Sequence, residues 1–484
     1  MEAGTRIKLI QPKMLMRPMD TGLKLHMAPP LGLYTAAQIL RYDHEVTVEN
    51  ENIAPVELDD SPDAVGISVT VDALPRAMEI SAAYRSRGIP VIAGGIHITT
   101  AYETVPEDAF DALCIGCAEG TWPEIVKDIE RGELKKRYFC PPDIKGSDIV
   151  SPAYDMIRKH SYLFCNVVHT SRGCPYRCDF CYNSSGAHRF MKRPIGDVLR
   201  DIEAVGMKHV MFIDDNLTGD REWAREFFRR ITPLGLKWNA AVSIDAARDP
   251  ELLDLMKQSG CRSLFIGFES VDPASIGSVH KRQNLMQPYE TAVEEIHKRG
   301  IMINASFVFG LDGDTKDTFD ATLDWIVKNR IETVTSHILT PYPGTVVYER
   351  MKAEGRITSF DLSKYNTAHV VFKPAGMTAE ELYEGYTDIY KRIYSIKNII
   401  RRMPKARDQR AAYLLFNLVY RKYGKLTDAV CRLISYERIG RFAQWAAGYK
   451  KRRAHRAPVD SDIMSEERPR VLDKAPFKQL ADEC

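Results

Sequence analysis

The feature that most constrains this chain is a run of three cysteines, Cys174, Cys178 and Cys181, separated by three and then by two residues. Spacings this short place the three thiols on a single tight loop. A cubane iron–sulfur cluster normally takes four Cys thiolates. Three local cysteines, with no fourth at a suitable spacing, leave one iron open to a small molecule. The spacing therefore predicts a [4Fe-4S] cluster that reserves one coordination position for a ligand.

A zinc site, or thiols that meet by chance, would also account for cysteines at these positions. Zinc favours paired Cys-x2-Cys spacings with a second pair of ligands, and no second pair is evident nearby. The run 170–182, Thr-Ser-Arg-Gly-Cys-Pro-Tyr-Arg-Cys-Asp-Phe-Cys-Tyr, resembles the cysteine loop of the radical S-adenosylmethionine (SAM) superfamily, including the aromatic residue Phe180 before the third cysteine. That resemblance implies that the open iron binds the amino and carboxylate groups of SAM.

The length and net charge of the chain limit which classes of protein it can belong to. A chain of 484 residues exceeds what one hydrophobic core usually supports, so we expect two or three domains. The formal net charge of +2 gives no polyelectrolyte signature, and we expect no nucleic-acid partner. The ten cysteines do not suggest a disulfide framework in so long a chain. No apolar signal core or run of the ~18 residues that span a membrane is present, so a cytoplasmic enzyme is predicted.

Residues 1–135 alternate short apolar runs with segments of helical periodicity. This alternation predicts an α/β domain with a doubly wound, Rossmann-like sheet, which binds ligands at the carboxyl ends of its strands. The predicted strands are 7–10, 45–48, 63–68, 89–94 and 110–115, and the predicted helices are 31–40, 75–87 and 122–131. Glycines lie at the ends of the last three strands, where they allow a large flat ligand to approach the backbone closely.

These strand-end loops, together with residues 28–33, resemble the cobalamin-binding domain that precedes the catalytic domain of many radical SAM enzymes. The residues that the resemblance assigns to cobalamin are Ser68, Thr70, Gly94, Gly95, His97, Gly116 and Glu119. The Asp-x-His-x-x-Gly signature of the wider cobalamin family is absent, as it is in many radical SAM members that bind cobalamin without a lower histidine. For His97, contact with the cofactor and an ordinary hydrogen bond to backbone explain the sequence equally well.

Residues 136–164 carry the Pro and Gly turn signals of a linker, and from 165 to 357 strands and helices alternate again. The predicted strands are 166–169, 209–213, 238–242, 263–267, 302–309 and 333–339, and the predicted helices are 195–205, 221–231, 250–258, 289–298, 316–328 and 346–354. Six strand–helix units are too few for a closed eightfold barrel. They match the partial (β/α)6 barrel of radical SAM proteins, with the cluster loop after the first strand.

The ends of successive strands in this region resemble the SAM-binding elements of the superfamily. The residues that the resemblance assigns to SAM are Phe180, Asp214, Asp215, Ser243, Glu269, Ser270 and Gly310. The element Gly-Phe-Glu-Ser implies that Glu269 accepts a hydrogen bond from the ribose or amino group of SAM. Taken singly, each residue is explained equally well by a cap or a turn. Their order at successive strand ends favours a SAM site.

A third region, 358–455, is predicted to be mainly helical, and residues 456–484 are predicted to form a poorly ordered tail. From 391 to 456 the chain is strongly basic, and its acidic residues are Asp408, Asp428 and Glu437. A basic helical face is often merely solvated. It can also contact an anionic membrane surface or an anionic substrate, so peripheral membrane contact stays open.

Over residues 5–400 the chain resembles the class B, cobalamin-dependent radical SAM methylases, a family related to the hopanoid methylases. The resemblance implies reductive cleavage of SAM to a 5′-deoxyadenosyl radical, which takes a hydrogen from an unactivated carbon. It also implies that cobalamin supplies a methyl group to that carbon of a small-molecule substrate, such as a lipid or isoprenoid. A reductase or flavodoxin would deliver the electron. In this division of labour the protein orients the [4Fe-4S] cluster, SAM and cobalamin.

Two alternatives of different classes remain from the sequence. The first is a radical SAM enzyme that binds no cobalamin and performs carbon–carbon coupling, cyclisation or rearrangement. The second is a non-catalytic iron–sulfur sensor, in which the SAM-facing elements would have no role. Bound corrin distinguishes a methylase from the first alternative, and formation of 5′-deoxyadenosine distinguishes either enzyme from the second.

Overall fold

The computed structural model describes residues 4–20, 22–185, 189–285, 288–420 and 436–446. Within these ranges the strands form two parallel sheets and one short antiparallel hairpin. The strands are β1 (Arg6–Gln11), β2 (Glu45–Asn50), β3 (Ala64–Ser68), β4 (Val91–Gly94), β5 (Ala112–Ile115), β6 (Arg137–Phe139), β7 (Val167–Val168), β8 (Ser171–Arg172), β9 (Met191–Lys192), β10 (His209–Phe212), β11 (Lys237–Val242), β12 (Cys261–Glu269), β13 (Met302–Phe309) and β14 (Thr333–Ile338).

Helices connect these strands and continue beyond the last one. They are α1 (Leu31–Leu40), α2 (Leu74–Arg85), α3 (Ile96–Ala101), α4 (Ala118–Arg131), α5 (Ile195–Val205), α6 (Arg221–Ile231), α7 (Pro250–Gln258), α8 (Pro273–Gly277), α9 (Tyr289–Lys298), α10 (Asp317–Lys328), α11 (Val346–Ala353), α12 (Ala379–Ile393), α13 (Ile396–Arg401), α14 (Arg410–Tyr420) and α15 (Tyr436–Ala446). Among the helices of the described residues, none is both long and apolar enough to cross a membrane.

The first sheet has the strand order β2-β1-β3-β4-β5-β6. The order reverses between β1 and β3, and a sheet with such a reversal opens a ligand-binding crevice at the carboxyl ends of its strands. Successive side chains of a strand point to opposite faces. Accordingly Leu9 packs on one side of the sheet with Trp122 of α4, and Ile10 packs on the other side with Ile80 of α2.

The second sheet has the order β14-β13-β12-β11-β10-β7, so each strand lies beside its predecessor in this parallel sheet. This is the arrangement of the partial barrel that the sequence predicts. The buried core joins strand residues to the helices that follow them. For example, the rings of Phe228 in α6 and Trp238 in β11 stack with centroids 5.2 Å apart.

The helices after β14 extend the core of the second sheet. Leu382 and Ile389 of α12 are fully buried in that core. Arg402, also fully buried, donates hydrogen bonds to the carbonyl oxygens of Ile331 at 2.7 Å and Ile393 at 2.8 Å. These backbone acceptors fix the end of α13 against the segment that enters β14. The C-terminal helices therefore belong to the same folded unit as the barrel.

The sequence pattern locates the core strands and the long helices and misses several short elements. The bounds of β13 are those predicted, whereas the segment predicted as a linker contributes the strand β6, which pairs with β5. The hairpin of β8 and β9 and the helix α3 are also absent from the prediction. These missed elements are too short to carry a periodic pattern, whereas the short core strands are marked by continuous apolar runs. The predicted tail, 456–484, and the basic segments 421–435 and 447–455 lie outside the described residues.

Candidate active site

The carboxyl ends of both parallel sheets face a common space, called here the first cavity. Its volume is about 1350 Å³ with the open mouth included. The ends of β1, β3, β4 and β5 line it from one side, and the loop after β7, the residues after β10 and Asn183 line it from the other. Ligands of parallel sheets bind at this edge of the strands. The first cavity is therefore a ligand site to which both domains contribute.

Gly95 and Gly116, at the ends of β4 and β5, form part of one wall of the first cavity, called here the glycine wall, and a side chain on them would clash with neighbouring protein atoms. A Cβ atom on Gly95 would lie 2.7 Å from the amide nitrogen of Val69, and one on Gly116 would lie 2.5 Å from Cys140 Cβ. Both glycines have a left-handed backbone, with φ of 97° and 99°, which other residues rarely adopt. A bare backbone beside a cavity of this size suits a large planar ligand, so the residues present fit a corrin.

The structure separates the residues that the resemblance assigned to cobalamin into two groups. Those that line the first cavity are Ser68, Gly94, Gly95, Gly116 and Glu119. Thr70 and His97 instead line a neighbouring cavity. The Nε2 atom of His97 lies 3.3 Å from Thr104 Oγ1, and burial lowers the pKa of this imidazole to about 4. His97 is thus a neutral, locally bonded side chain on the far side of the strand end.

An ion pair joins the two domains at the wall of the first cavity. The guanidinium of Arg172, in β8, donates one hydrogen bond of 2.8 Å to each carboxylate oxygen of Glu119, near the start of α4. The backbone N–H of Val150 donates to the same carboxylate at 3.2 Å. Burial alone would raise the pKa of Glu119, but Arg172 outweighs burial and holds that pKa below its usual value. The bidentate geometry fixes both side chains.

His169, which follows β7, also faces the first cavity. It is buried, and its Nε2 atom has no hydrogen-bond partner among the described residues. Burial, reinforced by Arg172 and Arg193, lowers the pKa of its imidazole well below the usual value, so the ring is neutral. An unpaired buried polar atom costs free energy. A polar group on a ligand in the first cavity, such as a corrin side-chain amide, would satisfy it.

The three cysteines lie on the loop that follows β8, at the edge of the second sheet. Gly173, with φ of 75°, turns the chain into this loop. The side-chain amide of Gln283 donates to Cys178 Sγ at 3.4 Å. Burial raises the pKa of all three thiols, that of Cys181 to about 12. Three thiols and an N–H donor to sulfur are a donor set suited to an iron–sulfur cluster.

Two aspartates at the end of β10 anchor this loop. One carboxylate oxygen of Asp214 accepts hydrogen bonds from the backbone N–H of Thr170 at 2.8 Å and from the hydroxyl of Ser171 at 2.8 Å. Burial raises the pKa of Asp214 to about 6. Asp215 lines the first cavity, and it accepts hydrogen bonds from the Asn183 side chain and from the loop backbone. Contact of either aspartate with SAM stays a prediction.

Glu269 occupies a strained position at the end of β12. The pairing with β13 shifts between Gly267 and Glu269, and Glu269 has a φ of 62°. Its buried carboxylate forms an ion pair with Lys281, whose ammonium group also donates to the carbonyl oxygen of Gly267 at 2.8 Å. A Cβ atom on Gly267 would lie 2.6 Å from Lys281 Nζ. A left-handed glutamate is costly to hold, and such strain concentrates at functional sites.

The remaining residues assigned to SAM have local roles in the structure. Ser243 precedes a short helical turn after β11, and the hydroxyl of Ser270 accepts a hydrogen bond from the N–H of Asp272 at 3.1 Å. Gly310, with φ of 97°, leaves no space for a side chain because a Cβ would lie 2.8 Å from Leu382. Phe180 packs, half-buried, against the core of the second sheet. These contacts neither require nor prevent an additional contact with SAM.

A second cavity, of about 760 Å³ with its open mouth, adjoins the first. Ile96 lines both cavities, and the adjacent residues Tyr182 and Asn183 each line one of them. Tyr342 and Pro343, after β14, also line the second cavity. The second cavity therefore lies beside both the corrin-sized space and the cysteine loop.

Sequence reasoning missed four residues that the structure places at the site, namely His169, Arg172, Lys281 and Gln283. Arg172 lies within the cysteine run 170–182 and His169 directly precedes it. Their closeness to the cysteines in the sequence could therefore have identified them as site residues. Lys281 and Gln283 lie in the segment after α8, about a hundred residues from the cysteines, and Gln283 reaches Cys178 across a separation of 105 positions. A single sequence carries no signal for such contacts.

Comparison with known proteins agrees with this architecture. Residues 168–326 match the sequence model of the radical SAM superfamily, and residues 26–126 match that of the B12 binding domain. Residues 345–445 match a domain of unknown function. The structure superposes on that of the radical SAM methyltransferase TsrM from Kitasatospora setae with a TM-score of 0.62 and 16% identity, covering 92% of this chain and 100% of that one. This likeness supports the fold.

Two curated relatives extend the match over most of the chain. The bacteriochlorophyllide d C-12(1)-methyltransferase of Chlorobaculum tepidum is 31% identical over 415 residues, 82% of this chain and 88% of that enzyme. The hopanoid C-2 methylase of Rhodopseudomonas palustris is 26% identical over 355 residues, 70% of this chain and 67% of that enzyme. The chain therefore belongs to the family of cobalamin-dependent radical SAM methyltransferases, whose cofactors are a [4Fe-4S] cluster, SAM and cobalamin.

Proposed function

We propose that this enzyme methylates an unactivated carbon of a small molecule held in the second cavity. The observation that carries the proposal is the position of that cavity, which shares Ile96 with the first cavity and Tyr182 with the cysteine loop. A molecule bound there would lie within reach of both cofactor sites. Regioselectivity would then follow from geometry, because positioning alone can select one C–H bond.

The side chains of the protein would hold the reactants in position and shield them from water. When bound, the reduced cluster and SAM supply a hydrogen-abstracting radical, and cobalamin supplies the methyl group. Cys174, Cys178 and Cys181 would hold the cluster, with the Gln283 amide directed at one sulfur. Glu269, kept in place by Lys281, would accept a hydrogen bond from SAM.

The glycine wall and His169 would hold the corrin from opposite sides of the first cavity. The half-buried rings of Tyr182 and Tyr342 would help to exclude water from the space where the radical forms. We propose a cytoplasmic location and a reductase or flavodoxin as electron donor.

The relatives act on two chemically different small molecules, a bacteriochlorophyllide and a hopanoid. Either a tetrapyrrole-like or a lipid-like substrate is therefore consistent with the family. Peripheral contact with a membrane would suit a lipid substrate. Among the described residues, α15 exposes the rings of Phe442 and Trp445 beside the basic Arg441, and exposed aromatic and basic residues on one helix suit a lipid interface.

Transfer of a labelled methyl group tests the proposed function directly. With SAM that carries a deuterated methyl group, reduced holoenzyme incubated with tetrapyrrole and isoprenoid extracts should form 5′-deoxyadenosine and a product that bears the label. The variant Cys178→Ala should form neither while it retains corrin, because the loop has no spare thiolate for the cluster. Formation of 5′-deoxyadenosine by the variant at the wild-type rate would contradict the cluster assignment, and unlabelled products would contradict methylation.

The SAM contact of Glu269 is tested by an isosteric change. Glu269→Gln should weaken SAM binding about ten- to a hundredfold with the cluster intact, because a hydrogen bond to a charged group contributes ~1.5–3 kcal/mol. Glu332→Gln is the matched control, since it removes a buried carboxylate that accepts from the N–H of Ile303 away from both cavities. Equilibrium dialysis measures both affinities. Equal affinity for SAM in wild type and Glu269→Gln would show that Glu269 is structural.

A bulky side chain introduced into the first cavity, at a position where it meets no other protein atom, tests whether the corrin binds there. Gly32 is the second residue of α1, lines the first cavity, and has no atom within 4 Å of a built Cβ. Gly32→Phe should therefore fold normally and lose most of its bound cobalamin, as measured by corrin absorbance per chain. Gly196→Phe, at the second position of α5 outside the cavity, is the control and should retain cobalamin. Full corrin content in Gly32→Phe would place the cofactor elsewhere.

A further inference from the structure

One end of the second cavity carries a cluster of charged side chains that the proposed chemistry does not use. Arg17 Nε donates to Asp20 Oδ2 at 2.8 Å, and Lys24 Nζ donates to the same oxygen at 2.7 Å. The three side chains all line the cavity, and that of Asp20 is only 10% exposed. Two cations therefore share one carboxylate at the wall of a cavity.

The surrounding contacts hold Arg17 in place. Its Nη1 atom donates to the hydroxyl of Thr367 at 2.7 Å, and that hydroxyl also lies 3.2 Å from Nδ1 of His337. Thr367 has a left-handed backbone with φ of 64°. Burial, with Arg17 nearby, lowers the pKa of His337 to about 4, so its ring is neutral. A strained threonine and a neutral histidine thus position the guanidinium without neutralising its charge.

The two cations of this group, Arg17 and Lys24, share a single ion-paired carboxylate. The ion pairs that Arg17 and Lys24 form in the described residues are both with Asp20. Asp72 also lines the cavity, but burial raises the pKa of its carboxyl, and its hydrogen bond comes from the hydroxyl of Thr70. Burial and the neighbouring Arg17 lower the pKa of Lys24. An additional anion beside Arg17 and Lys24 would relieve this repulsion.

Aromatic side chains also line the second cavity. Tyr182 and Tyr342 contact each other edge to face with ring centroids 5.2 Å apart, and Tyr365 lines the same cavity. Flat aromatic surfaces favour contact with unsaturated ring systems. The cavity therefore combines an anion-binding end with a surface for a planar group.

We propose that the second cavity selects an amphipathic substrate that carries a carboxylate or a phosphate, which binds Arg17 and Lys24 while its planar unsaturated part lies against the tyrosines. This inference rests on the proposed function, since it assigns the substrate class of the same site. Hydrogen bonds from cations to carboxylate or phosphate are among the stronger contacts in proteins. An uncharged hydrocarbon would leave the two cations without a partner from the ligand.

Binding of three matched probes to the cobalamin- and cluster-loaded enzyme tests this inference. Naphthyl phosphate, naphthylacetate and naphthylmethanol share one ring system, and only the first two carry an anion. In equilibrium dialysis at least one anionic probe should bind about tenfold or more tightly than the alcohol, the gain expected from a charge-assisted hydrogen bond. The probe that binds more tightly identifies phosphate or carboxylate as the preferred group.

Variants test whether the tighter binding of the anionic probes depends on Arg17 and Lys24. Arg17→Gln and Lys24→Gln should each reduce the affinity for the anionic probe about tenfold and leave the alcohol unchanged. Asp20→Asn, which removes the carboxylate and keeps both cations, should bind the anion at least as tightly as wild type. Arg85→Gln and Lys135→Gln remove ion-paired cations outside the cavity and should have no effect.

Three results would overturn the inference. The anionic probes could bind no more tightly than the alcohol, all three probes could lose affinity equally in Arg17→Gln, or Asp20→Asn could lose anion binding as Arg17→Gln does. The last two results would indicate that Arg17, Asp20 and Lys24 have a structural role. Because the readout is binding, it is independent of methyl transfer. Failure of the labelled-SAM experiment would contradict the proposed function and leave this result standing.

Discussion

The bidentate ion pair between Arg172 and Glu119 is the interaction on which the arrangement of this enzyme depends. Arg172 stands immediately before the turn into the cysteine loop, and Glu119 stands at the start of the helix that follows β5. The pair therefore ties the loop of one domain to the strand ends of the other. Breaking such a pair leaves a buried, uncompensated charge, which is strongly destabilising. The pair therefore fixes the position of the cysteine loop relative to the strand ends of the first sheet.

The division of the site into two cavities follows from that constraint. The glycine wall at Gly95 and Gly116 and the unpaired Nε2 atom of His169 face the larger space, which suits a corrin. Tyr182, from the cysteine loop, faces the smaller space. Both domains contribute side chains to the first cavity, and both contribute to the second. A substrate in the second cavity would be surrounded by both reactive centres and by little water.

Much of this architecture could be predicted from the sequence, because it is encoded locally. The spacing of the cysteines, the alternation of strands and helices, and the glycines at strand ends are all short-range patterns. The strand ends also predicted the wall of the first cavity, but not which way each residue faces. Ser68 lines the first cavity, whereas Thr70 and His97 line the second. Side chains alternate between two faces only within a strand, so beyond the strand end a single sequence does not determine which cavity a residue faces.

The contacts that complete the site could not be predicted, because they join residues that are distant in sequence. Lys281 reaches Glu269 from a separate segment, and Arg172 reaches Glu119 across a separation of 53 positions. The left-handed backbone of Glu269 likewise depends on a bulge between two strands. Short elements such as β6, with one buried residue among three, give no periodic signal. Tertiary packing, rather than local preference, sets these features.

The central claim is that the cluster and the corrin face one another across a single site, and electron paramagnetic resonance tests it most directly. Cob(II)alamin and the reduced cluster are both paramagnetic, so two centres in one site relax each other. The microwave power needed to saturate the cob(II)alamin signal should be clearly higher in reduced wild-type holoenzyme than in cobalamin-loaded Cys178→Ala, which lacks the cluster. Identical saturation in the two proteins, at equal corrin content, would contradict the shared site.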